Sequence, residues 1–394
     1  MTAQTRDALA QQHRRVRSQT EALASPLHPE DQVVQSMPDV SPTKWHRAHT
    51  TWFFETFLLA PNVKEYEHFH ESYTYLFNSY YEVVGARHPR PERGLLSRPT
   101  VTDIARYRAH VDDALTALIE SCPDDEWPET SALIELGLHH EQQHQELLLM
   151  DIKHVLSCNP LEPAYAEGQC SSRVATPMAW VDVDGGSVEI GHDGEGFGFD
   201  NEFPRHVVHL DPYRIADRLV TAAEWIAFVD DDGYHRPDLW LADGWAAVQA
   251  HGWEAPLYWW NDDDDWSVFT LAGRRAVDPA EPVGHVSHFE ADAFARWRGE
   301  RLPTEFEWEH AAAALHQRDD EQWQWTASAY LPYPRFQPAP GAVGEYNGKF
   351  MSGQMVLRGG AGITPAGHTR PTYRNFFPPG SRWMYGGVRL AGDA

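Results

Sequence analysis

Around residues 159–178 the sequence changes its period, and this switch limits the folds open to the chain more than any other feature. Upstream of it, apolar positions recur every three to four residues over Thr2–Ala24, Thr43–Leu59, Val101–Ser121 and Glu129–Leu156, with few β-branched runs. That spacing marks amphipathic helices, and four long helices with polar connections predict an antiparallel bundle. Ser41-Pro42 offers a helix start, with Ser as cap and Pro in the first turn. Downstream, short alternating stretches such as Trp180–Val183, Val188–Ile190 and His206–Leu210 read as strands separated by Gly, Pro and Asn. Thr221 with Glu224, and Thr304 with Glu307, have capping-box spacing and open isolated helices over Thr221–Val229 and Thr304–Ala314. Most of the 16 tryptophans fall in this half, where aromatic packing must substitute for regular layers. The expectation is a two-domain α+β chain. It has a four-helix bundle over 1–158, a linker over 159–178 marked by Pro160, Pro163, Gly168 and Pro177, and a loop-rich domain over 179–394.

At 394 residues the chain is long enough to bury a large core. Its formal net charge of -26 argues against nucleic acid or an anionic membrane as a partner, because both would be repelled without a local basic patch. No apolar run approaches the ~20 residues that span a bilayer. Met1–Ala24 scatters Arg6, Arg14, Arg15 and Arg17 where a secretory signal has its apolar core, so a cytoplasmic location is expected. Three cysteines, Cys122, Cys158 and Cys170, cannot make a disulfide framework for a chain of this size. The acidic runs Asp230–Asp232 and Asp262–Asp265 lack the Gly and Glu spacing of a calcium-binding EF-hand loop and read as solvated loops.

Chemistry concentrates in His140-Glu-Gln-Gln-His144-Gln-Glu146. Residues four apart on a helix share a face, so both histidines interrupt a stripe otherwise made of Leu133, Leu136 and Leu147. Two imidazoles there need partners, and a metal ion uses both; the bland alternative is a pair of hydrogen-bonded core histidines. Glu146 lies roughly 200° around the helix from His144, which makes it a poor direct ligand and a better orienting partner. Bundles build metal sites from facing helices, so His46 or His49 on the Thr43–Leu59 helix is the candidate third ligand.

Longer motifs add a resemblance. Asp200-Asn-Glu-Phe-Pro-Arg-His206, Arg301-Leu-Pro-Thr-Glu-Phe-Glu-Trp308, Leu357-Arg-Gly-Gly360 and Gly387-Val-Arg-Leu-Ala391 resemble the formylglycine-generating-enzyme (sulfatase-modifying) domain, whose fold is C-type-lectin-like. The N-terminal region with H-x3-H-x-E is similar to the DinB-like four-helix bundle. With Leu76-Phe-Asn-Ser-Tyr-Tyr81, Arg87-His-Pro-Arg-Pro91, Gly94-Leu-Leu-Ser-Arg98 and Arg374-Asn-Phe-Phe-Pro-Pro379, nearly the whole chain resembles the ergothioneine-type sulfoxide synthases, or hercynine oxygenases.

That resemblance implies an oxidoreductase with non-haem iron(II) held by His49, His140 and His144, with His46 the competitor for the first of these. It implies small-molecule substrates: O2, hercynine (Nα-trimethylhistidine) and cysteine or a related thiol or selenol donor. The family joins the thiol to C2 of the hercynine imidazole and oxidises the sulfur to a sulfoxide. Three neutral imidazoles leave room on a six-coordinate ion for O2 and both substrates. Tyr80 and Tyr81 match the family's catalytic tyrosine region. A phenol there can deliver a proton or hydrogen atom, which favours C–S bond formation over simple thiol oxidation. Adjacent tyrosines are not expected to point the same way, so one of the two is structural. Gln143 matches a hercynine-contacting position. Asn375, Phe376 and Phe377 match a substrate loop, where an amide can fix a carboxylate and aromatic faces can hold a quaternary ammonium. Arg87 and Arg90 are candidates for the carboxylate of the thiol substrate, unless one of them only ties down its loop. Family members that use γ-glutamylcysteine carry an acidic residue where Phe377 stands, which favours free cysteine here.

Rival functions remain. The copper oxidase chemistry of formylglycine-generating enzymes needs a C-terminal cysteine pair, and no cysteine follows Cys170. A DinB-type thiol transferase with zinc or nickel would need neither the Tyr80-Tyr81 segment nor the second domain. A pure binding module would leave the histidines as packing. The nearest rivals are a selenoneine synthase that joins a selenosugar to hercynine, and an ovothiol-type enzyme that attacks C5 of histidine.

Overall fold

The computed structural model describes residues 5–168, 173–174, 176–262, 265–338 and 342–394; Cys170 and part of the Asp262–Asp265 run lie outside them. The chain forms two compact units, Met1–Ala166 with Pro340–Tyr346, and Glu167–Ala339 with Asn347–Ala394. The division falls inside the expected 159–178 linker. The return of Pro340–Tyr346 to the first unit is a feature that local periodicity could not foretell.

The first unit is built on α1 (Arg6–Ala24), α2 (Thr43–Phe54), α3 (Val101–Ser121) and α4 (Trp127–Ser157). The Thr5 hydroxyl caps α1, and a Thr100/Asp103 capping box opens α3, each satisfying an orphan N–H of the first turn. Ser41 does not cap α2 as expected. That helix starts at Thr43 without a side-chain cap, and the Ser41 N–H instead donates to Asp151 Oδ2 at 2.7 Å. The end of α2 also departs from simple periodicity, because Glu55–Leu59 forms a π-helical turn. Within that turn the buried Glu55 carboxylate accepts from the Tyr107 hydroxyl at 2.6 Å, the Tyr66 hydroxyl at 3.0 Å and the Phe69 N–H at 3.1 Å. Where α4 meets α2, Gly137 permits a close approach: a Cβ there would lie 2.5 Å from the Phe54 ring.

The leucine stripe expected on α4 is only half-buried at Leu133, Leu136 and Leu147. The deepest side of the helix instead carries Ile134, Leu138, Glu141, Gln145, Leu148 and Ile152. Polar groups are tolerated there because they are paired. Glu141 accepts from Arg17 Nη1 at 2.8 Å, Arg108 Nη2 at 2.9 Å and the Thr20 hydroxyl at 2.6 Å. Burial alone would push the Glu141 carboxyl up, but Arg17 and Arg108 outweigh it and hold it well below the usual carboxylate range.

The second unit is an α+β assembly of small sheets. Its strands are β1 (Trp180–Val183), β2 (Gly186–Ile190), β3 (His206–Leu210), β4 (Tyr213–Ala216), β5 (Trp259–Asp262), β6 (Asp265–Thr270), β7 (Gly273–Ala276), β8 (Trp323–Ala329), β9 (Met355–Arg358), β10 (Asn375–Phe377), β11 (Gly386–Gly387) and β12 (Ala391–Asp393). Their orders are β1-β4-β12, β10-β9-β8-β11, β2-β3 and β5-β6-β7. The Thr221/Glu224 and Thr304/Glu307 capping boxes both form, opening helices Ala222–Asp230 and Glu305–Ala311, and Ser287/Glu290 makes a third. Trp308 is fully buried in a cluster with Leu210, Tyr213, Ile215 and Ala311, consistent with aromatics doing the packing of short elements. Among the described residues no helix is long and apolar enough to cross a membrane.

Candidate metal centre

Helices α2 and α4 face each other in the first unit and bring His49, His140 and His144 together. One nitrogen from each lies within 4.8 Å of the others. The paired rings are 4.7–5.0 Å apart by centroid. Glu146 is buried on α4 but is not among these clustered donors.

The orientation of His49 follows from its own helix. Trp45 and Trp52 stand one turn before and one turn after it. Its ring stacks on Trp45 at 4.7 Å and 11° and on Trp52 at 5.4 Å and 16°. His49 Nδ1 bonds the Phe77 carbonyl at 2.6 Å. A carbonyl only accepts, so Nδ1 carries the proton and Nε2 is left with a lone pair. That Nε2 is buried without a hydrogen-bond partner, and so are both ring nitrogens of His140.

His46 does not join the three. Its Nδ1 lies 2.9 Å from His144 Nδ1, and its Nε2 lies 3.0 Å from Asp151 Oδ2. Of the two histidines that spacing left open, His49 is the one whose ring nitrogen clusters with those of His140 and His144, and His46 contacts His144.

Burial is the main cause that pushes the His140 imidazole down to about 3. Burial, reinforced by the neighbouring imidazoles, lowers His49 and His144 well below the ordinary histidine range. All three are therefore neutral at physiological pH, the protonation state in which imidazole donates to a metal. Buried nitrogens without partners cost free energy. Three neutral imidazole donors gathered within 4.8 Å of one another form the kind of cluster a metal ion can satisfy. A set of three neutral imidazoles fits the metal that the family resemblance implies.

Tyr346 belongs to this cluster although it lies far along the chain. Its ring sits 5.5 Å from that of His140, and its hydroxyl donates to Gln143 Oε1 in a short hydrogen bond. Tyr81 is fully buried, packed against Trp52 at 5.5 Å and Phe57 at 5.0 Å. Tyr80 is half-buried and stacks on Tyr81 at 4.6 Å and 27°. The two rings therefore lie side by side, although adjacent tyrosines were not expected to point the same way. The Tyr80 ring lies 6.5 Å from that of Tyr346.

Arg87 and Arg90 are both exposed. Arg87 pairs with Glu82, and Arg90 donates to the Asp39 carbonyl, tying down its loop. The buried arginine of this segment is Arg93. Its guanidinium lies 3.4 Å over the Trp45 ring and donates to Ser41 Oγ at 2.9 Å and Ser79 Oγ at 3.2 Å. Sequence reasoning missed Arg93, although the three-residue spacing Arg87, Arg90, Arg93 was visible. It also missed Trp45 and Trp52, whose i−4 and i+3 positions around His49 were equally visible. Tyr346 offered no local signal.

Asn375, Phe376 and Phe377 lie in the second unit, on β10, paired antiparallel with β9. Asn375 Oδ1 accepts from the Phe376 N–H at 2.9 Å. Phe376 stacks on Tyr330 at 4.1 Å, and Phe377 meets Trp383 edge-on at 5.7 Å.

Comparison with known proteins agrees with this division. Residues 12–148 match the DinB superfamily, and residues 167–321 match the sulfatase-modifying factor enzyme 1-like domain. A hercynine oxygenase of Mycolicibacterium smegmatis is 31% identical over 363 residues, covering 78% of this chain and 81% of the relative. One from Mycolicibacterium thermoresistibile is 32% identical, covering 78% of each. A formylglycine-generating enzyme of Streptomyces coelicolor is 35% identical over a shorter stretch, 39% of this chain and 52% of that protein.

Proposed function

The chain belongs to the hercynine oxygenase family, and on that premise we propose that it is an O2-dependent sulfoxide synthase that uses iron(II) to join cysteine to the imidazole C2 of hercynine. The observation that carries this reading is the convergence of His49, His140 and His144, neutral and within 4.8 Å of one another. His49, His140 and His144 would hold iron(II), which when bound would supply the redox chemistry with O2 and favour the thiolate form of the sulfur substrate.

The remaining work falls to the chain's own groups. Trp45, Trp52 and the Phe77 carbonyl fix the His49 ring, so the donor is preorganised and does not need to be ordered on binding. Gln143 lies one residue before His144, and its amide is a hydrogen-bonding group for hercynine. Tyr346 is the proton donor of this proposal. It is the phenol against a ligand histidine, and its hydroxyl is already oriented by Gln143. Tyr80, next in line, is the second candidate, and Tyr81 is structural. The transformation balances: the thiol and C2 each lose a hydrogen, a C–S bond forms, one oxygen atom ends on sulfur and the other leaves as water. Asn375, Phe376 and Phe377 serve hercynine binding in this reading, and the absence of a carboxylate at Phe377 favours free cysteine over γ-glutamylcysteine. Arg87 and Arg90 remain candidates for its carboxylate, although each has another partner in the structure.

The test is O2 consumption and product mass with hercynine and, in separate arms, cysteine, γ-glutamylcysteine and a selenosugar. The proposal expects a hercynyl sulfoxide with cysteine. Turnover confined to the selenosugar would overturn the donor assignment, and turnover with histidine instead of hercynine would overturn the acceptor.

A further inference from the structure

His46 is buried, 3% exposed, between a carboxylate and a ligand histidine. Asp151 Oδ2 accepts from the Ser41 N–H at 2.7 Å and faces His46 Nε2 at 3.0 Å. An ionised carboxylate can only accept, so His46 Nε2 must carry the proton. In a neutral imidazole the other nitrogen is then a lone pair. His46 Nδ1 therefore accepts from His144 Nδ1 across 2.9 Å, and His144 in turn keeps a lone pair on Nε2, the nitrogen away from His46. Each link leaves one tautomer for the next.

We propose that His46 is a positioning residue for the metal site, a relay that carries the negative charge of Asp151 to His144 and holds the nitrogen of His144 that faces the cluster unprotonated. The inference rests on the three-histidine reading above. Metal-bound histidines commonly donate their second N–H directly to a carboxylate or carbonyl, which fixes the ring and raises its basicity. Here His49 has the direct form, to the Phe77 carbonyl, and His144 has the same device with one imidazole interposed. The two ligands are therefore tuned differently: the proton of one points at a neutral carbonyl, and that of the other at a chain ending in a full charge. The peptide N–H of Ser41, just before α2, locks the far end, which gives Ser41 a role other than the helix cap its sequence context suggested.

The test uses the full-length, metal-free protein with Co(II) as a spectroscopic probe, and long-range 1H–15N correlation of its imidazoles. In the wild type, His46 should be protonated at Nε2 and His144 at Nδ1, a measurement that needs no variant. His46→Phe should weaken Co(II) binding by about 10–100-fold and change the visible spectrum. His46→Gln should keep affinity and spectrum, since its amide can donate to Asp151 and accept from His144. Wild-type protein that binds Co(II) while His46→Phe binds it equally, with an unchanged spectrum, overturns the role of His46 alone. So does a His144 protonated at Nε2. Wild-type protein that takes up no Co(II) overturns the three-histidine reading, and the relay with it.

Discussion

His49 is held on every side but one: an indole stacks on each side, a carbonyl bonds one nitrogen, and the other nitrogen is buried without a partner. A side chain so constrained is committed to whatever sits at its free edge. Replacing His140 or His144 by Ala should abolish metal uptake and turnover together while leaving helix content by circular dichroism unchanged. Tyr346→Phe should keep metal bound but shift products from the sulfoxide toward oxidised thiol, read by mass spectrometry. If Tyr346→Phe leaves the ratio unchanged and Tyr80→Phe shifts it, the proton comes from Tyr80. At this scale the sequence was informative only where spacing encodes direction. The i, i+4 pair on α4 was legible because helical geometry puts both rings on one face. His46 against His49 was not, since both offsets suit the same helix and packing against α4 decided between them. Tyr346 was invisible, being 203 residues from its partner Gln143.

Helices α1, α3 and α4 are fastened by charge as much as by hydrocarbon. Arg17, Arg108 and Glu141 share one buried network, in which removing the carboxylate takes away the one fully buried partner the two guanidiniums share and leaves them only Asp112 and Glu21 at its edge. Glu141→Ala should therefore destabilise the first unit by about 3–5 kcal/mol, measured by denaturant unfolding. The same group predicts a pH dependence. Glu141 is held below its ordinary value near 4.5, so the unfolded chain takes up the proton first. Its contribution is fully present above pH 4.5 and is lost as the pH falls from there toward the depressed folded value. Thermal melts between pH 7 and pH 3 should show this loss in the wild type and a flatter profile in Glu141→Gln. Helix positions and two of the three expected caps, Thr221 and Thr304, were readable because periodicity and capping are local. The face of α4 that is buried was misjudged, because Glu141 and Gln145 count as polar until their partners on α1 and α3 are known. The partners of Glu55 in the π-helical turn Glu55–Leu59 were hidden in the same way, since its hydroxyl donors come from Tyr66 and Tyr107.

Across the whole molecule, the change of period near residues 159–178 was a reliable guide to two architectures, since bundles and small-sheet folds bury apolar surface at different periods. It could not show that Pro340–Tyr346 returns to the helical unit, because a short excursion carries no period of its own. Replacing 343–346 with a Gly-Ser linker should therefore leave metal binding intact while reproducing the product shift of Tyr346→Phe. Bound metal with normal sulfoxide yield in that variant would remove this segment from the chemistry. In the function proposed above, turnover depends on iron held by three histidines on two helices. Elemental analysis of protein purified and loaded anaerobically tests it most directly. One iron per wild-type chain is expected, with loss of that iron in His49→Ala. Failure of the wild type to bind iron stoichiometrically, or full retention of iron without His49, would contradict it.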